Sequence, residues 1–185
     1  VLTGVAKLNA TGNEKNNSLI GNDNNNTLNG GAGDDLLNGK GGIDTLNGGT
    51  GDDTYAIDRL NDVIKEAANS GNDSVQTSFS YILKDINLEN IILVGKDPVE
   101  AIGNNLSNSI IGNTGNNRID GGTGADTMNG SAGNDFFVVE NIGDLVTESL
   151  NAGTDTVESS IDYILKDNVE NLTLTGSAVK GTGNT

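Results

Sequence analysis

Apolar residues recur at every ninth position in two stretches of the chain. In the first they are Leu19, Leu28, Leu37, Leu46 and Tyr55, and in the second Ile110, Ile119, Met128 and Phe137. Seven residues before each stands a glycine: Gly12, Gly21, Gly30, Gly39 and Gly48, then Gly103, Gly112, Gly121 and Gly130. Two residues before each stands a small amide or carboxylate: Asn17, Asn26, Asp35, Asp44 and Asp53, then Asn108, Asn117, Asp126 and Asp135. A nine-residue unit with a glycine corner and one inward apolar residue predicts stacked solenoid coils. Between the two stretches the period falls to two. Val75, Thr77, Phe79, Tyr81 and Leu83 alternate with polar residues, as do Val157, Ser159, Ile161, Tyr163 and Leu165, which predicts strands. Shorter runs at Tyr55–Ile57, Val63–Ile64, Ile91–Leu93, Phe137–Val139, Leu145–Val146 and Leu172–Leu174 read likewise. Asn-Gly pairs beginning at Asn29, Asn38, Asn47 and Asn129 predict turns. No helical period is sustained. The expected fold is all-β, one elongated β-solenoid.

A longer repeat contains the short one. Tyr81-Ile82-Leu83-Lys84-Asp85 recurs 82 residues later as Tyr163-Ile164-Leu165-Lys166-Asp167. Glu89-Asn90-Ile91 recurs as Glu170-Asn171-Leu172, one residue closer. Leu2-Thr3-Gly4 matches Leu174-Thr175-Gly176, where a third copy begins. The expected organisation is the end of a preceding repeat at 1–11, a nonapeptide block at 12–56 and a strand segment at 57–102. A second block follows at 103–138, with a second strand segment and the start of a third copy at 139–185. Such periodicity predicts a segment of a longer tandem array. Asp97-Pro98 has no counterpart in the second copy and reads as a loop.

Charge decides what must hold the coils together. The 185 residues carry 26 acidic and 10 basic side chains, a net charge of −16. Stacked coils lie about 5 Å apart. At an effective dielectric near 20, two facing carboxylates at that distance repel by about 3 kcal/mol. One apolar residue per nonapeptide is a thin core against the ordering entropy of a glycine-rich coil. A hard divalent cation between coils reverses the sign of the repulsion. Ca²⁺ takes six to eight oxygen ligands, which Asp side chains and Gly-rich loop carbonyls supply. With no Cys and no His, disulfides, a zinc site and Ser-His-Asp or Cys-His catalysis are excluded.

Gly30–Asp35 reads GGAGDD, Gly48–Asp53 GGTGDD and Gly121–Asp126 GGTGAD. Several in-phase copies of G-G-x-G-x-D-x-U-x closely resemble the calcium-binding nonapeptide of the RTX (repeats-in-toxin) family. The resemblance implies a parallel β-roll, with two nonapeptides per coil and calcium held by the six-residue turns between a repeat and the next but one. On that pattern Asp35 faces Asp53, Asn26 faces Asp44, Asn108 faces Asp126 and Asn117 faces Asp135. The implied ligand set is Asp35, Asp44, Asp53, Asp126 and Asp135, with Asn26 and Asn117. Turn residues Gly30, Gly31, Ala32, Gly33, Gly48, Gly49, Thr50 and Gly51 complete it. Departures weaken the outer repeats. Asn stands for Asp after Gly12, Gly21, Gly103 and Gly112, and either binds weakly or forms an amide ladder. Lys15 and Leu106 replace the fourth-position glycine, and Lys40 and Ser131 the second.

Acidity disfavours nucleic acid and anionic membrane as partners, and no apolar run is long enough to cross a bilayer. Paired acids such as Asp34-Asp35 are accounted for by metal, so no enzymatic role is expected. The resemblance implies an extracellular or cell-surface location in bacteria and export by type I secretion. Calcium ions and neighbouring repeats of the same polypeptide are the expected partners. The first functional expectation is a calcium-folded spacer in an adhesin-like stalk. The alternative is a polysaccharide-binding or folding-assisting module beside a carbohydrate-active enzyme. A sugar platform wants exposed aromatics, and only Phe136 falls on an outward position. The outward column Ser18, Thr27, Leu36, Thr45, Thr54 is too irregular to match an ice lattice.

Overall fold

The computed structural model describes residues 1, 4, 6–178 and 180–184. Leu2 and Thr3, which open the long repeat, and Val179 lie outside the described residues. All regular elements among those described are β-strands. The chain divides into two compact units, Val1–Thr77 and Ser78–Thr185.

In the first unit the strands are β1 (Asn9–Thr11), β2 (Ser18–Ile20), β3 (Thr27–Ala32), β4 (Leu36–Asn38), β5 (Thr45–Thr50), β6 (Thr54–Ala56), β7 (Val63–Lys65) and β8 (Ser74–Thr77). Odd strands pair in parallel as one ladder, β1-β3-β5-β7, and even strands as a second, β2-β4-β6-β8. The register follows the sequence period: Leu28 pairs with Leu46, Leu19 with Leu37 and Leu37 with Tyr55, each 18 residues on. Two nonapeptides therefore make one coil, and each coil supplies one strand to each ladder. Alternation along each strand turns one apolar side chain inward. Leu28, Leu37, Leu46, Tyr55 and Val75 are fully buried. Leu19, in the first coil, is half-buried.

The second unit repeats the plan. Its strands are β9 (Tyr81–Ile82), β10 (Asn90–Leu93), β11 (Glu100–Ile102), β12 (Ser109–Ile111), β13 (Arg118–Asp120), β14 (Thr127–Asn129), β15 (Phe136–Val139), β16 (Leu145–Thr147), β17 (Thr156–Ser159), β18 (Tyr163–Ile164), β19 (Asn171–Leu174) and β20 (Gly181–Thr182). One parallel ladder runs β10-β12-β14-β16, another β9-β11-β13-β15-β17-β19, and β18 pairs with β20. Ile91, Ile110, Met128 and Val146 stack in one core column. Ala101, Ile119, Phe137 and Val157 stack in the other. The strand segments thus continue the ladders of the glycine blocks.

Two expectations need correction. The alternating runs Val75–Leu83 and Val157–Leu165 are not single strands: each breaks at a corner, between β8 and β9 and between β17 and β18. A straight nine-residue strand would leave the solenoid, so the chain bends. At the second corner Ser159 Oγ donates to Ile161 O, 2.9 Å away. The inward register survives the bend, since Val75, Leu83, Val157, Tyr163 and Leu165 are buried; Phe79 and Tyr81 are only half-buried. The Asn-Gly pairs at Asn29 and Asn47 lie inside β3 and β5 rather than at turns. Two full motifs stack directly there, so Gly31 pairs with Gly49 and Ala32 with Thr50, and the ladder runs into the glycine segment.

Leu46 sits in the middle of its ladder with no exposure. Leu46→Ala should destabilise the calcium-loaded protein by about 2–5 kcal/mol. Denaturant unfolding in millimolar calcium measures it. A loss within about 0.5 kcal/mol, as at a surface site, would show that the core column carries no stability.

Candidate metal centre

At the sixth position of each nonapeptide the chain leaves the glycine turn and enters a strand. Ladder pairing places equivalent residues of successive coils over one another, and here the carboxylates form a ladder of their own. The N–H of Asn17 donates to Asp35 Oδ1 (2.6 Å), that of Asp35 to Asp53 Oδ1 (2.7 Å) and that of Asp53 to Asp73 Oδ1 (2.8 Å). On the opposite edge Asn26 N–H donates to Asp44 Oδ1 and Asp44 N–H to Asp62 Oδ1. In the second unit Asn108 leads to Asp126 and Asp144, while Asn117 leads to Asp135, Asp155 and Glu170. All four pairings anticipated from the repeat phase are formed.

This ladder uses one oxygen of each carboxylate. The other oxygens, Oδ2 of Asp35, Asp44, Asp53, Asp126 and Asp135, are buried without a hydrogen-bond partner. Burial of an unpaired charged oxygen is costly. It pushes Asp44, Asp53, Asp126 and Asp135 up to about 6, from an ordinary 3.8. Desolvation is the largest cause in each. Donation from the preceding coil pulls the other way, and for Asp53 the neighbouring carboxylate of Asp35 adds to the rise.

The glycine rule follows from the same geometry. A Cβ on Gly48 would sit 2.1 Å from Asp53 Oδ2, and one on Gly121 would sit 2.3 Å from Asp126 Oδ2. The first position must be bare because the sixth-position carboxylate fills its space. In the aspartate repeats the second position takes positive φ whatever its side chain: 119° at Gly31 and 115° at Gly49, but also 60° at Lys40 and 74° at Ser131. Those two replacements keep the turn at the cost of backbone strain.

The asparagine repeats build a different turn. Asn22, Asn104 and Asn113, one residue after the corner glycine, reach back into the preceding coil. Asn22 Nδ2 donates to Gly4 O and Ala6 O, Asn104 Nδ2 to Asp85 O and Leu88 O, and Asn113 Nδ2 to Val94 O and Asp97 O. Asn26, Asn108 and Asn117 donate in the same direction, to Leu8 O, Glu89 O and Val99 O. An amide thus supplies protons where a carboxylate pair has none. Lys15 and Leu106 avoid the left-handed region expected of the fourth position. Their N–H groups are held instead by Asn13 Oδ1 and Asn104 Oδ1. The phase of these asparagines was visible in the sequence; their reach into the neighbouring coil was not.

The donor set suits calcium. It is all oxygen and anionic, with orphaned carboxylate oxygens set against the first-position glycine, which has no side chain. Asp35 and Asp53, in consecutive full-motif coils, stand at the centre of the first unit's ladder. Gly31, Ala32 and Gly33 are stacked beneath Gly49, Thr50 and Gly51. Carboxylates outside the blocks also join: Asp62, Asp73, Asp144, Asp155, Glu66 and Glu148 were not anticipated. Two extra residues in the coil before Asp73 and before Asp155 break the nine-residue phase that would have revealed those two.

A family model described as the RTX calcium-binding nonapeptide repeat (4 copies) matches residues 11–46, 30–64 and 102–137. No curated protein matches the chain. The chain carries RTX calcium-binding nonapeptide repeats in both units, folded as a parallel β-solenoid, and its cofactor is Ca²⁺.

Two predictions follow from these geometries. Asn113 is 4% exposed and satisfies two carbonyls. Asn113→Ala should cost about 1–3 kcal/mol without changing the number of calcium ions bound; loss of an ion on titration would contradict a metal-free turn. The second concerns pH without metal. Folded carboxylates near 6 lie above their unfolded values, so the folded state binds more protons than the unfolded. Its stability is greatest below about pH 4 and declines as pH rises through about 6. In EGTA the far-UV β signal should be larger at pH 5 than at pH 7.5, and millimolar calcium should remove that difference. A β signal in EGTA that grows with pH would contradict the burial of these charges.

Proposed function

We propose that the chain is a calcium-folded spacer in a large secreted bacterial protein of the adhesin-like kind, folding only after export. The observation that carries the reading is the carboxylate ladder, whose buried second oxygens have no protein partner. Without a cation the stacked charges oppose the fold. With one, binding energy at sites absent from the unfolded chain becomes folding energy. Extracellular calcium modules bind at about 10⁻⁴–10⁻³ M, well above a cytosolic supply. The same residues thus keep the chain open inside the cell and close it outside. The 82-residue repeat supports the spacer role, since each copy presents ladder strands to which a neighbouring repeat can add. Asp35, Asp44, Asp53, Asp126 and Asp135 supply the anionic ligands, and the glycine-turn carbonyls the neutral ones. Asn26 and Asn117 begin two of the ladders with an amide oxygen already taken by a turn N–H, so no strong site is expected at them.

A carbohydrate-stacking role has no comparable support. Phe136, the outward aromatic, is covered by the Arg118 guanidinium, 5.9 Å from the ring centroid. Arg118 is in turn held by Glu100 at 2.8 Å.

Far-UV circular dichroism in EGTA and then in millimolar calcium tests the proposal. The expected result at pH 7.5 is a largely unfolded spectrum that converts to β-structure on adding calcium. A full β spectrum in EGTA with an unchanged melting temperature would sink it.

A further inference from the structure

Each repeat block ends on a carboxylate cluster that lies beyond its last nonapeptide. In the second unit Asp135, the final sixth-position residue, meets Glu148 and Asp155, with one carboxylate oxygen from each within 4.8 Å of the others. Glu148 and Asp155 fall outside residues 102–137, where the repeat family matches. The strand segment brings them there: Thr156 and Val157 of β17 pair with Phe136 and Phe137 of β15, which sets Asp155 over Asp135. Glu148 follows β16 directly.

The cluster is more than a group of acids. Asp135 is 2% exposed and Asp155 is fully buried. Asp135 Oδ2, Asp155 Oδ2 and Glu148 Oε2 are all buried without a hydrogen-bond partner. Their other oxygens are committed. Asp135 Oδ1 accepts from Asn117 N–H, Asp155 Oδ1 from Asp135 N–H and Glu148 Oε1 from Gly130 N–H, at 2.6, 2.8 and 2.8 Å. The backbone therefore fixes each carboxylate by one oxygen, and the three carboxylates share one buried space. No lysine or arginine among the described residues forms an ion pair with any of the three. Ca²⁺ binds oxygen at 2.3–2.6 Å, so oxygens about 4.8 Å apart can share one ion.

We propose that Asp135, Glu148 and Asp155 form a calcium site that closes the end of the second block, with Glu148 a ligand from outside the nonapeptide repeat. The proposal rests on calcium being the cofactor of the chain.

The first unit contains the counterpart, Asp53, Glu66 and Asp73, each 82 residues earlier. It differs at one core residue. Tyr55 stands where the second copy has Phe137, and its hydroxyl accepts from Gly48 N–H at 2.9 Å and donates to Glu66 Oε2. Glu66 Oε1 accepts from Ser70 Oγ at 2.6 Å. Both oxygens of Glu66 are engaged, whereas Glu148 keeps one free. The Asp135–Glu148–Asp155 site is therefore the stronger of the two.

Calcium stoichiometry by chelator competition, with melting temperature in calcium, tests the site in the whole chain. Glu148→Gln and Asp155→Asn keep their hydrogen-bond acceptors and remove a charge. Each should lose one ion per chain and melt lower in calcium than the wild type, and the double variant should lose the same single ion. Glu158→Gln, an equal charge change on β17, should lose none. An unchanged stoichiometry in both single variants, or two ions lost in the double variant, would overturn the shared site while leaving calcium binding by the wild type intact. A wild type that binds no calcium would instead remove the cofactor on which the proposal rests.

Discussion

The structure depends on one hydrogen bond, repeated coil after coil: the N–H of a sixth-position residue donates to the carboxylate of the residue stacked above it. That bond lets the solenoid close its turns around acids instead of around a core. It also fixes the problem the fold must solve. Each sixth-position aspartate of the two blocks is held by one oxygen and left with a second that is buried and unpartnered, and successive acids repel. A cation with several oxygen ligands answers both difficulties at once. The bare first glycine follows from giving that carboxylate room.

Two turn chemistries share this frame. Asparagine turns open each block and satisfy the preceding coil's carbonyls with amide protons, so they are closed without metal. Aspartate turns follow, and those need a cation. Asp144 shows a third way to finish an edge. Its Oδ1 accepts from Asp126 N–H and its Oδ2 from Glu140 N–H and Asn141 N–H, so it terminates a ladder on hydrogen bonds alone. The order of asparagine before aspartate gives each block one end closed by amide hydrogen bonds, with the carboxylates stacked beyond it.

The strand segments between blocks are parts of the same machine. They add strands to the existing ladders, and they supply acids to the ends of the metal columns. Tyr55 against Phe137 shows how one core substitution reaches a neighbouring carboxylate: a phenol hydroxyl occupies the oxygen that a phenyl ring leaves free.

Much of this was legible beforehand. The nine-residue period identified the inward column from Leu28 to Phe137, because one face of a stacked coil must be apolar. The in-phase glycines and acids pointed to calcium, because stacking like charges requires a counter-charge. The facing pairs came from the 18-residue coil, a matter of counting. Other features needed tertiary structure. The corners inside Val75–Leu83 and Val157–Leu165 leave alternation unchanged, so periodicity could not reveal them. The passage of β3 and β5 through Asn29-Gly30 and Asn47-Gly48 arises from two glycine turns stacking, which overrides a local turn preference. Asp73 and Asp155 escaped because a coil two residues longer shifts them out of phase, and only the ladder, by pairing β6 with β8 and β15 with β17, returns them to the column. Glu66 and Glu148 keep the phase, 18 residues after Gly48 and Gly130, but stand where the repeat carries glycine. Sequence period determines which residues face inward when coils are equal; where coil length changes, backbone pairing decides which side chains meet.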